Sequence, residues 1–217
     1  DGQNLLIDND EYQELSNNQN SAKLLEFVKP FVGAREFISG KKKWCLWLKD
    51  VPPNEWSTSN EIIRRVEKVK TLRSNSKRKA TRRLANQPYL FGEIRQPSSD
   101  FILIPRVSSS RREYIPIGFF NKDSIAGDSC ILIPNGNLEL FGILNSSVHM
   151  TWVKYICGRL KDDYRYSIEI VYNNFPFAEI KETDANKLSE LSESILEYRK
   201  NSGQTLETLY DPILMPI

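Results

Sequence analysis

Histidine is almost missing from this 217-residue chain: His149 stands alone, inside an apolar stretch. With no second histidine and no clustered cysteines, a metal site or a Cys-His nucleophile pair lacks its partners. Packing or hydrogen bonding is the expected role of His149. Cysteine is scarce as well, since Cys45, Cys130 and Cys157 are odd in number and far apart. They read as reduced, mostly buried thiols of a cytoplasmic protein. No Gly-x-Gly sequence occurs, which removes the glycine loops that cradle phosphate or adenosine. Nothing resembles a membrane span or a signal peptide, and no internal repeat or low-complexity segment appears. The chain begins at Asp1 and stops at Met215-Pro216-Ile217, straight after a turn-like segment; a piece of a longer protein is expected.

Charge, by contrast, is plentiful and unevenly placed. The net charge is only +2, yet Arg64, Arg65, Lys68, Lys70, Arg73, Lys77, Arg78, Lys79, Arg82 and Arg83 face the single acid Glu67 between positions 64 and 83, an excess of nine. The rest of the chain therefore carries −7, part of it in Asp1, Asp8, Asp10, Glu11 and Glu14. Such separation marks a polyanion-binding face on an otherwise ordinary protein. Arg73, Lys77, Arg78, Lys79, Arg82 and Arg83 are the expected contacts to a nucleic-acid backbone. The alternative is a solvated basic helix.

The 40% apolar content is enough for one medium domain, or one domain with a small appendage. Trp44 to Leu48 alternates as a strand. Ser57-Thr58-Ser59-Asn60 caps a helix whose buried stripe is Ile62, Ile63, Val66, Val69 and Leu72. Short strands are expected at Leu90 to Arg95, Phe101 to Val107, Tyr114 to Phe119 and Ser129 to Ile133. Between two of them, Ser108, Ser109, Ser110, Arg111 and Arg112 place small hydroxyls beside paired guanidiniums, a turn suited to phosphate or a plain solvated hairpin tip. Asn145-Ser146-Ser147 caps a helix closed by Gly158, and an acidic amphipathic helix runs from about Thr183 to Lys200. The fold class is α+β, with mainly antiparallel sheet, packed helices and a small helical C-terminal appendage.

The stretch from Leu160 to Ile170 alternates strictly. Read as one strand, it puts Leu160, Tyr164, Tyr166, Ile168 and Ile170 on one face and Lys161, Asp163, Arg165 and Ser167 on the other. Lys or Arg donates to guanine O6 and N7, and a carboxylate accepts from cytosine N4, so such a face suits a reader of base edges. The bland reading is a solvated face with internally paired charges. Asn174-Phe175-Pro176-Phe177 superficially resembles the Asn-Pro-Pro-Phe/Tyr motif of amino-methyltransferases but lacks the Pro-Pro step, and reads as a boundary turn.

A set of motifs nearly spanning the chain carries a more specific likeness. Lys29-Pro30-Phe31-Val32-Gly33-Ala34-Arg35-Glu36-Phe37, Trp44-Cys45-Leu46-Trp47-Leu48, Phe91-Gly92-Glu93-Ile94-Arg95-Gln96-Pro97, Tyr114-Ile115-Pro116-Ile117-Gly118, Gly158-Arg159-Leu160, Asp163-Tyr164-Arg165-Tyr166-Ser167 and Leu209-Tyr210-Asp211-Pro212 resemble the C-terminal part of MmeI-like adenine-N6 DNA methyltransferases, the type IIL restriction-modification enzymes. The resemblance implies a DNA target recognition domain over residues 1–178 and a C-terminal helical segment over 179–217. It implies double-stranded DNA as partner, with a methyltransferase domain and a nuclease domain earlier in the same bacterial, cytoplasmic polypeptide. S-adenosylmethionine then belongs to the parent enzyme, with no catalytic residue, cofactor or metal in this chain. It further implies that Lys161, Asp163 and Arg165 contact bases, with the Ser129 region assisting Arg165. A free-standing nucleic-acid-binding regulator and a structural connector are the alternatives.

Overall fold

The computed structural model describes residues 4–215. In chain order the elements are β1 (Leu6–Ile7), α1 (Asn9–Asn17), α2 (Ala22–Leu25), β2 (Val28–Val32), α3 (Ala34–Ser39), β3 (Trp44–Leu46), α4 (Pro53–Trp56), α5 (Asn60–Ser74) and α6 (Lys79–Arg83). There follow β4 (Phe101–Pro105), β5 (Val107–Ser108), β6 (Gly118–Phe120), β7 (Ile125–Ala126), β8 (Cys130–Pro134), α7 (Leu138–Leu144), α8 (Ser147–Ile156), β9 (Gly158–Leu160), β10 (Asp163–Arg165), α9 (Glu182–Asn201) and α10 (Leu206–Leu209). The class is α+β. The described residues form two compact units: the first holds 4–32, Lys42–Arg95 and Asp123–Ile125, the second Gly33–Lys41, Gln96–Lys122 and 126–215.

In the first unit β3 is central, pairing antiparallel with β1 (Leu6 opposite Cys45) and β2 (Lys29 opposite Cys45). α5 starts where Ser59 accepts a hydrogen bond from the Ile62 N–H at 3.4 Å, the cap expected from its sequence. Its Ile62, Val66 and Val69 join Leu5, Ile7, Leu46, Leu48 and Trp56 in one core. Leu72, expected in that stripe, is 44% exposed; Arg65 and Arg73 are buried instead.

The second unit is built on the sheet β6-β4-β8. Every residue of β4 is buried, and β8 pairs along its whole length, from Phe101 opposite Pro134 to Pro105 opposite Cys130. Ile102, Ile104, Ile131 and Ile133 form a core with Phe141 and Leu144 of α7, Met150 and Val153 of α8, Tyr164 and Tyr166. Each such side chain contributes roughly 1.5–3 kcal/mol on burial. A second sheet, β5-β10-β9, is joined to the first through the backbone of Arg106, whose N–H donates to the Ser129 carbonyl and whose carbonyl accepts from the Tyr166 N–H, both at 2.9 Å. α9 packs on α7, where the Ser192 hydroxyl donates to the Leu138 carbonyl at 2.7 Å. The boundary expected at 178 falls just before α9, inside this second unit.

Three expected strands are redrawn. Leu90 to Arg95 forms none; the Leu90 carbonyl is taken by the Arg73 guanidinium at 2.7 Å. Tyr114 to Ile117 is buried at Ile115 and Ile117 without being a strand, since Pro116 has no N–H for a ladder, and β6 starts only at Gly118. The alternating stretch is not one strand. Leu160 ends β9, Lys161 and Asp162 make a two-residue turn, and β10 lasts three residues. Ser167 then caps a single π-helical turn, Ile168–Tyr172, by accepting from the Ile170 N–H at 3.2 Å. Period two therefore mispredicts the faces of Leu160, Ile168 and Ile170, which are 50%, 39% and 52% exposed.

Candidate nucleic-acid interface

The hairpin β9–β10 carries the residues singled out as base readers. Directly opposed residues of an antiparallel pair share a face. Asp163 opposes Leu160, Arg165 opposes Gly158 and Val107, and Tyr164 opposes Arg159 and Ser108. One face is closed: Tyr164 and Ser108 are buried, and the Arg159 guanidinium lies 3.9 Å above the Tyr164 ring. The other face holds Asp163 and Arg165 beside Leu160 and Gly158. Arg165 is exposed and Asp163 half-buried.

Lys161 does not stand on that strand face, contrary to the sequence pattern. It occupies the tip of the turn, exposed, with φ +55°. The left-handed region disfavours any side chain, and lysine has no local hydrogen bond to offset it as Asn or Asp would. Tip and strand thus present an ammonium, a carboxylate and a guanidinium in sequence.

The serine-arginine turn is tied to this hairpin, because the Ser110 N–H donates to the Asp163 carboxylate at 3.3 Å. Its far end is held where Lys154 of α8 pairs with Glu113 at 3.0 Å. Arg111 is exposed, with Ser109, Ser110 and Arg112 half-buried. Ser108, expected to touch phosphate, is only 2% exposed and its hydroxyl is enclosed without a partner, so it is withdrawn from the contact set. Ser129 is exposed; its hydroxyl accepts the Ala34 N–H at 2.9 Å at the start of α3.

The basic segment belongs to the first unit. Arg73 was expected on the phosphate face, but its side chain is buried and donates to the carbonyls of Leu84 and Gln87 at 3.1 Å and Leu90 at 2.7 Å. It organises the turn after α6. Arg65 is likewise internal, paired with Glu11 and Glu61, and Arg64 pairs with Glu61 at 2.8 Å. Lys68, Lys70, Lys77, Arg78, Lys79, Arg82 and Arg83 remain exposed. Arg82 also closes the 76–78 turn through the Ser76 and Lys77 carbonyls, at 2.9 Å each.

His149 has the structural role expected of it. Its Nδ1 lies 2.8 Å from the Leu144 carbonyl and Nε2 2.9 Å from the Tyr166 hydroxyl. A proton on Nδ1 satisfies both, with Tyr166 donating to Nε2. Burial pulls its pKa down to about 4, and burial pushes the Cys45 and Cys130 thiols up to about 12, which keeps them unreactive. Asn174, the residue of the methyltransferase-like tetrapeptide, gives its amide to the Glu169 and Ile170 carbonyls at 2.7 and 3.0 Å. Among the described residues no group of His, Cys, Asp and Glu can hold a metal, and no helix is long and apolar enough to cross a membrane.

Two exposed arginines escaped the sequence reading. Arg106 follows the fully buried β4 and bonds through Nε to the Asp128 carbonyl at 2.7 Å, its backbone lying between Ser129 and Tyr166 just after β10. The signal was a lone cation ending an apolar run. Arg159, held by Tyr164 and by the Lys154 carbonyl at 3.0 Å, had no such signal.

Known proteins resemble this chain along its whole length. The family model for the target recognition domain of MmeI matches residues 1–179. DNA methyltransferase A of Bacillus subtilis (strain 168) is 38% identical over 217 residues, which are all of this chain and 24% of that protein. The solved structure of the type IIL restriction-modification enzyme MmeI in complex with DNA superposes with a TM-score of 0.91 at 36% identity, over 100% of this chain and 29% of that one. The chain thus spans about a quarter of the length of these relatives.

Proposed function

The chain belongs to the MmeI target recognition domain family, and from that premise we propose that it reads the sequence of double-stranded DNA for a site-specific adenine-N6 methyltransferase. The observation that carries this reading is the hairpin β9–β10. Its open face and tip set Lys161, Asp163 and Arg165 in a row, with no acid-base pair among them to neutralise the row. A two-stranded ribbon fits the major groove, where donors seek guanine and a carboxylate seeks cytosine N4. Phosphate repels a carboxylate, so Asp163 on a DNA-facing surface has a base amino group as its natural partner. Lys161 and Asp163 together specify a G·C pair beside the target adenine, and Arg165 reaches a neighbouring pair or a phosphate, assisted by the Ser129 region. Ser109, Ser110, Arg111 and Arg112 hold the backbone near the hairpin. Lys77, Arg78, Lys79, Arg82 and Arg83 supply sequence-blind phosphate contacts.

Chemistry lies with another part of the parent protein. S-adenosylmethionine supplies the methyl group there, but the residues of this chain do not fit it: there is no glycine loop, and Asn174 is committed to two backbone carbonyls. The partners are double-stranded DNA and the methyltransferase domain of the same bacterial, cytoplasmic polypeptide, which in restriction-modification enzymes of this type is joined to a nuclease.

The test places Asp163→Ala, and separately Lys161→Glu with Asp163→Arg, in the polypeptide that carries the catalytic domain, and reads the methylated motif by modification-sensitive sequencing. Asp163→Ala relaxes discrimination at one base pair by roughly 1–3 kcal/mol, and the exchange favours C·G over G·C there. An identical motif in both variants means that the hairpin does not read bases.

A further inference from the structure

β9 is an edge strand, and all three of its residues are exposed. Its first residue, Gly158, is not explained by its neighbours among the described residues. Glycine weakens a strand, so it is retained where the backbone turns left-handed, where a neighbour crowds it, or where a ligand approaches. The first reason fails, because α8 ends at Ile156 with Cys157 as its extended cap, and Gly158 has no positive φ as Gly40 and Gly203 do. Crowding fails too. A Cβ on Gly158 meets only the Arg165 carbonyl oxygen, at 3.7 Å, an ordinary contact, whereas at Gly118, Gly136 and Gly142 it would come within 3.0 Å of a neighbour.

What Gly158 does have is a position. It stands directly opposite Arg165, so its missing side chain would project from the open face beside the arginine. Two residues on, Leu160 lies opposite Asp163 on the same face and leaves half of its apolar surface exposed. We propose that β9 is a second contact strand for double-stranded DNA, and that Gly158 is a positioning residue whose missing side chain lets the duplex close onto Arg165. This rests on the reading of the hairpin as a DNA contact. A methyl group at position 158 would stand between the ribbon and the groove wall and hold the Arg165 guanidinium beyond hydrogen-bond reach of its base.

The test uses the full 217-residue chain at low salt with a pool of duplexes randomised at their centre; the bound fraction is sequenced, and affinity and melting temperature are measured. The variants are Gly158→Ala, Gly158→Val, Asp163→Ala and Arg165→Ala. Gly158→Ala is expected to melt no lower than the parent, to bind the preferred duplex roughly tenfold or more weakly, and to lose the same base preference as Arg165→Ala while keeping the one lost in Asp163→Ala. Gly158→Val is weaker still. A lowered melting temperature for Gly158→Ala would show that the fold itself needs the glycine and would overturn the proposal. Unchanged binding by Gly158→Val, with altered preferences in Asp163→Ala and Arg165→Ala, would overturn it while leaving the hairpin as the reader. Unchanged preferences in every variant would remove both readings.

Discussion

Replacing Lys161 by glycine moves stability and recognition in opposite directions. At φ +55° the lysine backbone is in the left-handed region, which costs a side-chain-bearing residue roughly 1–2 kcal/mol. Glycine removes that strain but adds about 0.4–1 kcal/mol of unfolded-state entropy. The net gain lies between about 0 and 1.6 kcal/mol, or up to roughly 6 °C in melting temperature for a chain of this size. On DNA the variant loses one base contact, roughly 1–3 kcal/mol, and with it preference at one base pair. Thermal melting of the chain and motif sequencing of the methylated genome read the two effects separately. Lys161→Asn serves as control, since asparagine tolerates the left-handed region but lacks the charge. A glycine variant that melts lower would refute the strain argument. One that melts higher and reads the same motif would make Lys161 a turn residue with no part in recognition.

Two further outcomes follow from charge and burial. The affinity of the chain for duplex DNA falls steeply with salt; changing Lys77, Arg78, Lys79, Arg82 and Arg83 to Gln reduces the log-log slope by up to about 4.5, whereas Arg73→Gln leaves the slope unchanged and lowers the melting temperature, because three carbonyls lose a buried charged donor. His149 titrates at an ordinary 6.5 when unfolded and at about 4 when folded. The unfolded chain therefore binds the proton first as pH falls, and stability present above about 6.5 declines towards pH 4 by on the order of 3 kcal/mol. Urea melts across that range check this, and a slope unchanged in His149→Gln would assign the acid sensitivity to other groups.

The sequence announces the elements that repeat over many residues. α5 with its Ser59 cap, α8 with its Ser146 cap and the buried strand at Phe101 each combine a local signal with a long pattern. The hairpin was hidden for the opposite reason. A two-residue turn at Lys161-Asp162 contains no Gly or Asn, and strict alternation continues across it, so nothing local separates two short strands and a π-helical turn from one long strand. Charge was legible in total but not in placement. Arg65 and Arg73 have the same side chain as Arg78 and Arg83, and it is Glu11 and Glu61 around Arg65 and the Leu84, Gln87 and Leu90 carbonyls around Arg73 that turn them inward. The residues proposed to read bases were suggested by family likeness; Arg106 and Gly158 emerge only once strands are paired.

The bond from Asp163 to the Ser110 N–H links two tasks that an engineer would prefer to keep apart. The carboxylate proposed to choose a base also anchors the turn proposed to grip the backbone. Any recoding that installs lysine, arginine or alanine at position 163 releases that turn as well as altering the letter read. New specificities made at this position alone are therefore expected to arrive with weaker overall binding. Restoring grip calls for a companion change within residues 109–112, so the unit that can be exchanged between relatives is the hairpin together with its turn.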